Sequence, residues 1–174
     1  MHRLRLNDSV THFNVAYNEL LTGEKLISLV EFLSLNKTCA NLNLAGCQLN
    51  VTDMMFLGQG LSKNSAIQRL VLTDNSLEDK RSLEYLCKGL ANSKCNPKLI
   101  ELELQRCSLS TDSVMSLVGL LSSKYKLRSL NLRDNGIVDE AAVALHGAIK
   151  INPFLSRILL EMNPARLNIT QDIE

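Results

Sequence analysis

Between Leu127 and Ile137 the chain places apolar residues at Leu127, Leu130, Leu132 and Ile137, with Asn135 set among them. The frame is apolar, two others, apolar, one, apolar, two, Asn, one, apolar. It recurs at Leu99, Leu102, Leu104, Cys107 and Leu109, at Ile67, Leu70, Leu72, Asn75 and Leu77, and at Cys39, Leu42, Leu44, Cys47 and Leu49. Val10, Phe13, Val15, Asn18 and Leu20 fill it more loosely before these, and Leu155, Ile158, Leu160, Asn163 and Ala165 fill it after them. The Asn/Cys position therefore falls at 18, 47, 75, 107, 135 and 163, in steps of 29, 28, 32, 28 and 28. A fixed period of this size is the mark of stacked repeats.

The spacing predicts what each unit does. Two apolar residues separated by one leave the same face of a short strand, and the residues between them leave the other. After the strand the chain bends, and backbone groups lose their strand partners. A side-chain amide pointing inward at that bend bonds those groups and the groups of the neighbouring unit. Cys fits the same small slot as a weak donor. Asn18, Cys47, Asn75, Cys107, Asn135 and Asn163 are therefore read as a structural ladder.

The remaining half of each unit is predicted as helix. "VDEAAVALHGAIKINP" sets Ala141, Ala144, Leu145, Ala148 and Ile149 at helical spacing, and Asn152-Pro153 stops the run. "TDMMFLGQGLSKN" starts at a capping Thr52 or Asp53 and turns Met55, Phe56 and Leu61 inward. "STDSVMSLVGLLSS" is capped by Ser110 or Thr111, with Val114, Leu117, Val118 and Leu121 inward. "DKRSLEYLCKGLANS" turns Leu83, Leu86 and Leu90 inward, and "GEKLISLVEFLSLN" is the first helix. The 32-residue step places extra residues near Asp79–Arg81 and in "NSKCNP".

Period, Asn/Cys usage and a full helix per unit resemble the ribonuclease-inhibitor-like class of leucine-rich repeats, over about residues 10–165. The resemblance implies an α/β solenoid of about six units, with parallel strands on a concave side and helices on a convex side. Residues 1–9 would then be an N-terminal capping segment and 166–174 a tail or partial cap. The family spans ribonuclease inhibitor, sensor segments of NOD-like receptors, the Ran GTPase activator, the tropomodulin tail and many cytoskeletal or ciliary scaffolds. It fixes a fold better than a function.

Composition narrows the function classes. The chain is 45% hydrophobic and 21% charged, with a net charge of +1. No basic excess points to nucleic acid, and no apolar run approaches the roughly 18 residues of a membrane span. "MHRLRLNDS" lacks the apolar stretch of a secretory signal. Of five cysteines, Cys39, Cys47 and Cys107 occupy core positions of the frame, Cys87 lies on a helix, and Cys95 lies in the insert. None has CxxC spacing, so no metal site is expected. Buried thiols favour a reducing, cytoplasmic setting. The sequons at Asn7, Asn36, Asn50 and Asn168 carry no meaning there.

Catalytic chemistry finds no footing. There is no Gly-rich phosphate loop, no GxSxG and no His/Glu metal pair. His2, His12 and His146 lie in different units, with His146 expected to face outward and His12 on the exposed side of the first strand. Glu101 and Glu103 share a strand face, but an open strand surface offers no pocket to perturb a pKa. No cofactor is implied.

The outward strand positions form columns across the units. The first runs His12, Asn41, Arg69, Glu101, Ser129 and Arg157. The next two run Asn14, Asn43, Val71, Glu103, Asn131 and Leu159, then Ala16, Ala45, Thr73, Gln105, Arg133 and Glu161. The bend adds Tyr17, Gly46, Asp74, Arg106, Asp134 and Met162. The first two units are neutral and the later ones dense in both signs. Arg69, Asp74, Glu101, Glu103, Arg106, Arg133, Asp134, Arg157 and Glu161 are read either as a surface for a protein partner or as charges that pair with one another. "PARLNITQDIE" after the last frame is a thin cover, with "LNI" as its apolar part. A fragment of a longer protein, or a C-terminal edge near Leu159, Leu160 and Met162 that contacts a neighbour, is expected.

These features add up to a non-enzymatic protein-interaction scaffold. The alternatives are a structural subunit of a ciliary or cytoskeletal assembly, a GTPase-activating repeat domain and a fragment of a NOD-like receptor sensor. The second would need a catalytic Arg and Asn in loops, and the acidic tail common in that family is missing.

Overall fold

The computed structural model describes residues 7–18, 24–92, 98–123 and 125–166. Strands and helices alternate in the order β1 (His12–Asn14), α1 (Glu24–Leu35), β2 (Asn41–Asn43), α2 (Val51–Lys63), β3 (Arg69–Val71), α3 (Lys80–Ala91), β4 (Glu101–Glu103), α4 (Thr111–Ser122), β5 (Ser129–Asn131), α5 (Asp139–Ile151) and β6 (Arg157–Leu159). The six strands form one parallel sheet in chain order. Leu42, Leu70, Leu102, Leu130 and Ile158 stand in register across it. They and Leu44, Leu72, Leu104 and Leu132 are buried against the helices. This is the expected α/β solenoid, with one continuous core.

Each strand ends in the same bend. Tyr17, Gly46, Asp74, Arg106, Asp134 and Met162 all adopt positive φ, between 51° and 63°. That conformation costs a non-glycine residue on the order of 1 kcal/mol. Bonds to the next repeat offset it. The N–H groups of Tyr17, Gly46, Asp74, Arg106 and Asp134 donate to the carbonyls of Ala45, Thr73, Gln105, Arg133 and Glu161, at 2.6 to 3.1 Å.

Inside the bend, Asn135 Nδ2 donates to Leu104 O and Leu132 O, both at 2.9 Å. Its Oδ1 accepts from the N–H groups of Cys107 and Leu109 at 2.9 and 3.2 Å. Asn163 repeats this with Leu132 O and Leu160 O and the N–H groups of Asn135 and Ile137. Asn75 donates to Leu44 O and Leu72 O and accepts from Leu49 N–H. Cys47 and Cys107 reach back with Sγ to Val15 O and Leu72 O, each at 3.2 Å.

A thiol cannot replace the amide oxygen, so the backbone changes instead. Leu77 N–H bonds the carbonyl of Cys107 at 2.9 Å. Gln48 and Ser108, the residues after the two cysteines, take φ of 54° and 53°. The residues after Asn75, Asn135 and Asn163 do not. Asn18 stands at the sheet's first strand and is exposed.

A second asparagine ladder was not foreseen. Asn36, Asn64 and Asn152 are buried at the opposite ends of the strands, three residues before Cys39, Ile67 and Leu155. Asn64 Nδ2 donates to Leu33 O and Asn36 O, and its Oδ1 accepts from Ala66 and Ile67 N–H. Asn152 likewise bonds Leu121 O and Tyr125 O and the N–H groups of Phe154 and Leu155. Asn36 Nδ2 reaches Asn7 O. Asn64 and Asn152 thereby tie the helix end of the preceding repeat to the segment that enters the strand after their own helix. Asn152 is thus more than a helix stop.

The helices correct several details. Asn50, rather than Thr52 or Asp53, caps α2, and Asp53 completes a capping box by accepting from Asn50 N–H. Met54 and Leu57 are buried where Met55 and Phe56 were expected; these two are half-buried. Ala142 is buried rather than Ala144, and Leu120 more than Val118. Ser110 caps α4 and Asp79 caps α3. His146 is half-buried rather than outward. The N-terminal cap within residues 1–6, Leu20, Cys95 and the "LNI" cover lie outside the described residues.

Val138 stands at the N-cap of α5 and provides no side-chain cap. Ser, Thr, Asn or Asp at this position typically adds about 1 kcal/mol over an uncapped start. Val138 is 42% exposed, so little packing is lost on replacing it. Val138→Asn is expected to raise the thermal midpoint by roughly 2–4 °C, the scale of about 1 kcal/mol in a chain this long, as measured by calorimetry. An unchanged midpoint would mean that this helix end does not limit stability.

Candidate functional site

Alternation along each strand sends the residues flanking the buried leucines to the concave side. There the charges meet across repeats. Arg69 Nε lies 3.3 Å from Glu101 Oε2, and its Nη2 lies 3.4 Å from Glu103 Oε1. The other oxygen of Glu103 accepts from Asn131 Nδ2 at 2.7 Å. Arg133 forms a fork on Glu161, with both bonds at 2.8 Å. Glu101 and Glu103 are thus held by Arg69 and are not a free acid–base pair.

The bend column carries a second network. Arg106 grips Asp74 with two bonds, of 2.5 and 2.9 Å. Tyr17 donates its hydroxyl to Asp74 Oδ2 at 2.7 Å, from two repeats away. Its ring lies over Gly46, where a β-carbon would stand 2.3 Å from Tyr17 Cδ1. Only glycine at the intervening bend lets the tyrosine span that distance. Tyr17 was not among the predicted site residues; the glycine beside it in the bend column was the available signal.

Asp134 is half-buried beside Arg106, and its field helps hold the guanidinium charged. Arg157 is exposed on β6 and acts on Glu161 through its charge. All nine predicted charged residues therefore lie on one face and rim, and most are engaged with each other. The hydrogen bond from Arg106 keeps the Asp74 carboxyl below its usual range. The fork from Arg133 takes Glu161 down to about 2.

Both pairs lie at the surface, with the Glu161 side chain 51% exposed and that of Asp74 23%, so they fix geometry more than they stabilise the fold. The sign is that of depressed carboxyls. Their contribution is complete above the ordinary carboxylate pKa and fades as pH falls toward the folded-state value. Arg133→Gln is expected to raise the Glu161 midpoint toward the ordinary value of about 4.3, stopping short of it because Arg157 remains, as read by carbon-13 chemical shift titration. A midpoint that stays near 2 would show that some other group holds it down.

Among the described residues no group of three His, Cys, Asp or Glu gathers as a metal site. Three surface grooves, of about 300, 230 and 660 Å³, are lined by neither Glu101, Glu103 nor a histidine. The largest runs along the rim past Glu78, Arg106, Ser110 and Asp134. Cys39, Cys47, Cys87 and Cys107 are free and buried, and burial pushes the Cys87 and Cys107 thiols up to about 12.

A family model described as Leucine Rich repeat matches residues 126–145. "NACHT, LRR and PYD domains-containing protein 5" of Bos taurus is 32% identical over 146 residues, 83% of this chain. Ribonuclease inhibitor of Sus scrofa is 31% identical over 144 residues, 82% of this chain. The chain is a leucine-rich-repeat protein of the ribonuclease-inhibitor-like type. It spans only 13% and 30% of those two relatives' lengths. Among solved structures, Leiomodin-1 Actin-Binding Site 2 superposes with a TM-score of 0.68 at 19% identity, covering 87% of this chain and 86% of that one. That likeness is one of fold.

Proposed function

We propose that this leucine-rich-repeat chain is a non-enzymatic scaffold that binds a protein partner through the concave face of β3 to β6. The observation that carries the reading is the interstrand pairing. Arg69, Glu103, Asn131, Arg133 and Glu161 are held in fixed positions on a rigid sheet. Side chains ordered before binding lose little entropy on binding. Mixed, fixed charge gives a protein partner register and excludes mismatched ones. The name of the ribonuclease inhibitor describes action on another protein, and this chain aligns with 30% of it. Buried free thiols at Cys39, Cys47, Cys87 and Cys107 suit a reducing compartment.

The test compares what the 174-residue chain and its variants retain from native cell extract, by quantitative mass spectrometry. Arg133→Glu and Glu103→Lys are each expected to lose the retained partner with the fold intact, the thermal midpoint falling more for Glu103→Lys because the buried Asn131 amide loses its acceptor. Val143→Glu, on the exposed face of α5, is expected to keep it. Retention by both concave variants with loss by the α5 variant would move the binding surface to the helices.

A further inference from the structure

Because all six strands are parallel, every helix-to-strand connection opens on one edge of the sheet. The five connections, residues 36–40, 64–68, 92–100, 123–128 and 152–156, contain no Asp or Glu. With the helix ends leading into them they present Lys37, Lys63, Lys98, Lys126, Arg128 and Lys150, all exposed. None of these six forms an ion pair among the described residues. The opposite edge and the concave face differ, since they carry both signs and hold ion pairs such as Asp74–Arg106, Arg81–Asp79, Lys80–Asp112 and Arg133–Glu161. The net charge of +1 conceals this separation.

Each connection, taken with the helix end that leads into it, contributes at least one cation, and neighbouring strands stand about 4.8 Å apart. The last two connections are the densest. Lys126, Arg128 and Lys150 stand there with Ile151, 55% exposed, and Phe154, 38% exposed. Lys126 Nζ lies 5.9 Å from the centre of the Phe154 ring.

We propose that this edge, centred on Lys126, Arg128, Lys150 and Phe154, docks an acidic polypeptide segment that carries an aromatic or aliphatic residue. Unpaired cations at repeat spacing match carboxylates along an extended chain, and Ile151 and Phe154 supply an apolar contact between them. Single-stranded nucleic acid fits less well, because it needs free aromatic faces for stacking and Lys126 already covers Phe154. A bilayer surface fits less well too. Among the described residues the exposed large hydrophobics of this edge are Leu35 at one end and Ile151 with Phe154 at the other, with no strip between them to enter the interface. The surface is separate from the paired concave face, so the two readings stand or fall independently.

Fluorescence anisotropy with the 174-residue chain tests this. The probe is a labelled peptide alternating Glu and Ser around a central Phe. It should bind, weaken steeply as salt rises from about 50 to about 300 mM, and give way to no binding when Lys replaces Glu. The triple variant Lys126→Glu, Arg128→Glu, Lys150→Glu should lose at least about tenfold in affinity. The corresponding triple Gln variant should lose severalfold, and it decides the matter if the Glu variant fails to fold. Phe154→Ala should weaken the Phe peptide and leave one with Ser in its place unchanged. Arg133→Glu should leave peptide affinity intact.

Undiminished binding by the triple variants overturns the proposal. So does no peptide binding, equal loss on Arg133→Glu, or tighter binding to oligothymidine or to phosphatidylserine vesicles. Self-association through the same lysines, seen by light scattering, would assign the edge to a second copy instead.

Discussion

Replacing Asn135 by Leu is expected to cost about 3 kcal/mol or more, since each buried backbone group left without a partner costs about 1–3 kcal/mol. Three groups lose the only bond they make among the described residues: Cys107 N–H, Leu109 N–H and Leu104 O. Leu132 O is spared, because Asn163 Nδ2 also donates to it. The comparison with Cys is more telling. Asn75→Cys can keep the bond to Leu44 O, as Cys107 does to Leu72 O. It cannot serve Leu49 N–H unless the carbonyl of residue 75 turns back, as that of Cys107 does toward Leu77. That turn puts the following residue at positive φ, as at Ser108.

Asn75→Cys should therefore fall between wild type and the Leu variant, and Ser76→Gly in its background should recover about 1 kcal/mol by removing the left-handed penalty. Urea melts of the four proteins measure this. Equal losses for Leu and Cys, or no recovery on adding Ser76→Gly, would show that the turning carbonyl is not what replaces the amide.

Much of this was legible in the sequence, because a strand has period two and every unit repeats the same frame. The buried columns and the outward charged residues follow from that alone, and the parallel sheet follows from the family that the frame resembles. The helix details were less legible. "DMMFLG" offers four apolar residues in a row, so periodicity does not fix which of them face inward. Packing settles it, burying Met54 and Leu57. Asn50 is legible as the cap of α2, since Asp53 as a box residue three positions into the helix implies a cap three before it.

The second ladder was legible but unread. Asn36, Asn64 and Asn152 stand at one fixed offset before the frame. Pairing on the concave face was half legible. The register that brings Arg69 to Glu101 follows from the frame, whereas the choice between mutual pairing and a free surface rests on rotamers. The reach of Tyr17 to Asp74 depends on what Gly46 lacks, and pattern reading weighs side chains that are present.

Four of the five glycines inside helices give opposite expectations within one protein. Gly in a helix interior is ordinarily worse than Ala by about 0.5–1 kcal/mol, from backbone entropy. At Gly119 and Gly147 an added β-carbon meets nothing within 4 Å. Gly119→Ala and Gly147→Ala should each stabilise the chain by roughly that amount. Helices α2 and α3 are different. A β-carbon on Gly89 would lie 2.2 Å from Gly58 O, and one on Gly58 would lie 2.5 Å from Tyr85 O. The obstacles are backbone atoms, which no rotamer change removes. Either substitution forces the two helices apart, and overpacking of this kind costs about 1–3 kcal/mol, occasionally more. Because each repeat supports only its neighbours, opening this contact also loosens the units on both sides. Gly89→Ala should therefore lower the thermal midpoint while Gly119→Ala raises it. Calorimetry on the four single variants reads the sign directly, and a gain at Gly89 or Gly58 would mean that the helices separate at no cost and that their close approach does not hold the repeats together.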